Sequence, residues 1–130
     1  MLTDDELVHG FEEGSLADFP HASHVRVALI YLTRYGRGEA LNRLLQGLLR
    51  FAMAKGRPEK FHVTMTRAWL DFIEAARLAH PELPPSSVLE VCPELLDRNA
   101  LLRFYTPERL HSEEARTGWV PPDLPEIGLI

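Results

Sequence analysis

The chain has 130 residues, 45% hydrophobic and 25% charged, an ordinary globular composition within the size range of one domain. Its formal net charge of −5 opposes nonspecific nucleic-acid binding and docking on an anionic membrane, since both need a basic face. One cysteine, Cys92, excludes an intramolecular disulfide, and no apolar run approaches the roughly 20 residues of a membrane span.

The start, MLTDDELVHG, is acidic and polar and lacks the basic and apolar segments of a secretory signal, so the chain reads as cytoplasmic. Gly and Pro divide the rest into helical pieces. The expected fold is all-α: a compact bundle of about four main helices, with short C-terminal helices and an extended Pro-rich tail. One helical domain is expected over residues 1–130. It comprises an N-terminal helix and loop (1–18), a three-helix core (19–80), and short helices with a wrapping tail (81–130).

In chain order, Thr3 and Glu6 form a capping-box pattern that starts a first helix, which ends near Gly14. A second helix begins around Pro20, a residue suited to the first helical position, and stops at Gly36. On a helical wheel His21, His24, Val25, Ala28, Leu32 and Tyr35 share one face. The third helix runs from Gly38 to Lys55, closed by Gly56, with a wide apolar arc that includes Leu41, Leu44, Leu45, Leu48 and Leu49. The fourth begins near Pro58 and ends near His80, with His62, Met65, Thr66, Trp69 and Phe72 on its apolar stripe. Beyond Pro84-Pro85, Ser87 and Glu90 suggest a further capped helix that stops near Pro93. Another short helix covers Asp97 to Phe104, Thr106 caps a turn at Pro107, and WVPPDLPEIGLI wraps over the bundle with Trp119 as its anchor.

The one chemical lead is histidine placement. His21 and His24 project from neighbouring turns of one helix, and His62 sits in the apolar stripe of another. If the stripes face each other, three imidazoles converge. That is the donor set of a transition metal ion such as zinc or iron, and His21, His24 and His62 are the expected ligands. Such an ion would polarise a carbonyl or activate a water, so a small metal-dependent enzyme is one reading. Tyr31, Thr66 and Trp69 are the expected pocket residues, with the tyrosine hydroxyl as a donor. The pattern lacks the glutamate of H-E-x-x-H and the paired E-x-x-H of di-iron bundles.

The plainer alternative makes these histidines satisfied core residues, hydrogen-bonded to neighbours. The domain is then a non-catalytic module that binds a small-molecule ligand or forms a homodimer, its Leu45 and Leu49 side being too apolar to leave bare. Cys92 reads as a small buried residue, and Arg34, Arg37, Arg43 and Arg50 as a solvated face. No helix carries a basic stripe with interleaved aromatics, so neither nucleic acid nor a membrane is an expected partner.

The segments FPHASHVRVALIYL, KFHVTMTRAW and LLDRNALLRFYTPERLHSEEARTGWVPPDL resemble a family of short, uncharacterised bacterial helical proteins. That family combines an F-x-H-x-x-H helix, a [YF]-H-x-T-x-T helix and a C-terminal W-V-x-P-D. The resemblance spans roughly residues 19 to 124 and implies that His21, His24, His62, Thr64, Thr66 and Arg116–Trp119 belong to one pattern. It implies no activity. Where the pattern has an acid before the second histidine and a glutamate after the third, this chain has Ser23 and Val63, so chemistry that uses those acids does not carry over.

Overall fold

The computed structural model describes residues 2–124, and among them every regular element is helical. The fold is all-α. The first helix, α1 (Asp4–Glu13), opens with the expected reciprocal cap: Glu6 N–H donates to Thr3 Oγ1 at 3.1 Å and Thr3 N–H to Glu6 Oε1 at 2.8 Å. It closes at Gly14, whose φ of 72° is left-handed and suits glycine.

Helix α2 (His21–Tyr35) is the centre of the molecule. Pro20 is its N-cap, one position outside the expected first turn, because its ψ of 165° is extended. Residues 27–32 are buried without interruption, so α2 is covered on all sides rather than along one stripe. Its neighbours are α1, α3 (Arg37–Ala54), α4 (Val63–Ala79) and α5 (Pro85–Val91).

Helix α3 turns Ala40, Leu44, Gly47 and Ala52 inward. Its apolar arc is narrower than its sequence suggests, since Leu49 is 39% exposed. Gly47 marks the closest approach to α1: a Cβ there would stand 2.3 Å from the ring of Phe11, which is buried and stacked on Phe19.

The segment after Gly56 departs from expectation. Pro58–Lys60 form one 3-10 turn, Phe61 and His62 are extended, and α4 starts at Val63 rather than at Pro58. The apolar periodicity runs straight across this break, which is why the sequence alone reads as one helix.

Helix α5 begins at Pro85 behind Pro84, so Ser87 already lies inside the helix and the Ser87–Glu90 box is not its cap. Two 3-10 turns follow, Pro93–Leu96 and Ala100–Arg103, the second where a short helix was expected. Thr106 caps α6 (Pro107–Leu110) as expected. Ser112 caps α7 (Glu113–Thr117), an unexpected helix whose signal was the serine followed by two acids at its N-terminus.

Among the described residues, two apolar cores result. The larger lies around α2. The smaller joins Ala68 of α4 to Leu101, Tyr105 and Leu110, and Trp69 packs against both. The chain after α7 is hydrogen-bonded to earlier elements as far as residue 124, and residues 125–130, where the rest of the expected tail falls, lie outside the described residues. Thr64, fully buried, donates to Gly118 O at 2.7 Å and accepts from Val120 N–H at 3.0 Å. Tyr105 donates to Val120 O at 2.7 Å, and Leu124 N–H donates to Phe104 O at 3.1 Å. Trp119 is anchored beneath the guanidinium of Arg67, 4.1 Å from its ring centre.

Candidate functional site

A cavity of about 480 Å³ lies between α2, α3 and α4. Its walls are mostly apolar: Val25 and Ala28 from α2, Leu44, Leu48 and Phe51 from α3, and Trp69, Leu70 and Ile73 from α4. His21, His24 and His62 all border it, as do Thr66 and Trp69. Tyr31 does not. It lies two turns beyond His24, where its hydroxyl donates to Glu12 at 2.6 Å on the α1 side, so the expected phenolic donor is absent from the cavity.

The histidines differ in what their rings do. His21 Nε2 donates to the Leu95 carbonyl at 2.9 Å, which fixes the proton on Nε2, and its ring meets Trp69 edge-on at 4.6 Å. His24 stacks on Phe19 with ring centres 4.1 Å apart. Burial, and then the charge of His21, push its pKa down to about 4, so the ring is neutral near pH 7. Burial also lowers the pKa of His21 and of His62, against the opposing pull of their carbonyl partners.

His62 has a structural task. It is the N-cap of α4: Nδ1 accepts from Met65 N–H at 3.0 Å, while Nε2 donates to Leu110 O at 2.8 Å. One nitrogen spends its lone pair and the other its proton, so neither is left for a ligand. The hydroxyl of Thr66, one of the expected pocket residues, donates to the His62 carbonyl at 2.7 Å. Among the described residues, no group of three His, Cys, Asp or Glu side chains is placed to hold a metal ion. The three-histidine ligand set expected from the sequence is therefore not assembled. The reason is local: the chain break puts His62 at a helix end, where its ring turns back onto the backbone. Histidine is not among the usual N-cap residues, so nothing in the sequence flagged this role.

Replacing His62 tests that role. His62→Ala removes the cap and the bond to Leu110, and is expected to cost about 1–3 kcal/mol in a urea melt. His62→Asn keeps an acceptor for Met65 N–H and should recover part of the loss. Equal stability of the two variants would show that the cap is worth nothing here.

Cations were the part of the site that sequence reasoning missed. Lys55, Arg57, Lys60 and Arg98 all border the cavity and are all exposed, which places them at its mouth. The first three come from the α3–α4 connection, where the spacing KGRPEK was a visible signal. Arg98 arrives from a distant segment, which no local pattern could show. The arginines read as a solvated face, Arg34, Arg37, Arg43 and Arg50, are exposed or half-buried, and three of them form surface ion pairs: Arg34 with Asp5, Arg37 with Asp71 and Glu74, and Arg43 with Glu39.

No protein-family model matches this chain, and no curated protein or solved structure is significantly similar to it. Its geometry therefore carries the functional reading. No helix among the described residues is long and apolar enough to cross a membrane.

Proposed function

We propose that this protein is a binding module for a small, largely apolar organic molecule held between α2, α3 and α4. The observation that carries this reading is the cavity itself. Its volume of about 480 Å³ falls within the roughly 300–1,000 Å³ typical of small-molecule sites, and an apolar wall with a few polar groups is their usual lining. The neutral imidazole of His24 fits such a wall better than a charged group would. A zinc or iron centre of His21, His24 and His62 would require His62 to release Met65 N–H, so a metal-dependent activity is the less supported reading.

Titration with the neutral fluorophore 1-aminoanthracene tests the proposal. We expect saturable binding to one site, with quenching of Trp69 fluorescence in a Trp119→Phe background. Ala28→Phe, which fills the cavity from α2, should abolish the signal while leaving the circular dichroism helical. Leu48→Trp serves the same purpose should Ala28→Phe fail to fold. Saturable binding that survives in a folded, cavity-filled variant would rule this site out.

A further inference from the structure

We propose that the ligand is an organic anion, a carboxylate with an apolar body, whose charged group sits at the cavity mouth among Lys55, Arg57, Lys60 and Arg98. This deepens the pocket reading above and rests on it.

The argument begins with charge. The chain has 14 lysines and arginines against 19 aspartates and glutamates. Yet its cavity is bordered by four of the cations and, among the described residues, by none of the acids. A random share of a net-acidic surface would not look like this. The four cations also come from two separate stretches of chain, so the tertiary fold gathers them.

Their hydrogen bonding separates them by availability. Lys55 donates to the Ala17 carbonyl at 2.8 Å, and Arg57 pairs with Glu59 at 2.7 Å. Lys60 and Arg98 make no side-chain hydrogen bond or ion pair among the described residues. The acid adjacent in sequence to Arg98, Asp97, is turned toward the backbone N–H of Asn99 at 3.0 Å rather than toward the guanidinium. The charge of Arg98 reaches inward, since it helps to lower the pKa of both His21 and His24.

The apolar wall then decides the rest of the ligand. Phe51, Trp69 and Leu70 offer contact area and no charge, so a small inorganic anion would leave the cavity unfilled. An amphipathic carboxylate satisfies both ends. Its head takes charge-assisted hydrogen bonds from Lys60 and Arg98, and its body displaces water from the apolar wall.

Displacement of bound 1-aminoanthracene by matched acids and alcohols is the test. The pairs are octanoate against 1-octanol, and 3-phenylpropanoate against 3-phenylpropan-1-ol, each at low and high salt. Each acid is expected to displace the probe about tenfold more strongly than its alcohol at low salt. High salt, or the double variant Lys60→Gln/Arg98→Gln, should shrink that advantage. The acid that displaces the probe at the lower concentration identifies an aliphatic or an aromatic body. Equal displacement by acid and alcohol, with the probe still bound in the cavity, overturns the anion assignment and leaves the pocket reading standing. A wild-type protein that binds no probe removes both.

Discussion

Between pH 7 and pH 4 the protein is expected to lose roughly 3 kcal/mol of stability through His24. The ring has a pKa of about 4 in the folded state against an ordinary 6.5, because burial beside Phe19 disfavours the imidazolium. As pH falls below 6.5 the unfolded chain takes up a proton that the folded chain refuses. The unfolded state binds more protons throughout this window, so stability falls with falling pH. It is fully present above 6.5 and is lost down to about 4. The fall from 6.5 to about 4 sets the magnitude, at about 1.36 kcal/mol for each tenfold loss of proton affinity. His21 and His62, whose pKa values burial also lowers, act in the same direction. So do Glu6, Glu113 and Asp123, which their hydrogen-bond donors hold below the usual carboxylate range. The comparison that isolates His24 is therefore between proteins. Urea melts of the wild type and of His24→Gln at both pH values should show the wild type losing about 3 kcal/mol more. Parallel pH dependences would mean that the ring protonates freely in the folded state.

Phe11→Ala is expected to cost about 3–5 kcal/mol, the usual toll for removing a buried aromatic ring. Phe11 is 1% exposed, stacks on Phe19 in the loop before α2 and meets Tyr31 of α2. Its ring also occupies the space that a side chain at position 47 would need. This makes Gly47→Ala a sensitive probe. In an unconstrained helix interior the change is worth about 1 kcal/mol in favour of alanine. In the wild-type background the added methyl forces the ring aside, and a loss of about 1–3 kcal/mol is expected instead. In the Phe11→Ala background the obstruction is gone, so the same substitution should become stabilising. A double-mutant cycle measures this sign reversal directly. Additive effects would place the ring elsewhere.

Much of the helical outline was legible from local chemistry. Thr3 with Glu6, Gly14, Gly36, Gly56 and Thr106 start or stop helices for reasons that act within one turn of chain, and the structure uses each of them. The apolar spacing of His21, His24, Thr66 and Trp69 likewise marked residues that the fold places on one cavity. Helix–helix assembly decided the rest. The break before Val63 leaves no trace in a periodicity that continues across it, yet it turns His62 from an interior histidine into a cap. The direction of Tyr31 depended on Glu12 standing opposite it on α1, and the exposure of Leu49 on how far α3 is covered. Arg98 reaches the α3–α4 cations only because the segment after α5 returns to the cavity. Composition and local spacing determined that this chain forms amphipathic helices with histidines on their apolar sides. Whether those histidines would ligate, cap or line a pocket was decided by the tertiary structure, which commits the Nε2–H groups of His21 and His62 to the carbonyls of Leu95 and Leu110, partners remote in sequence.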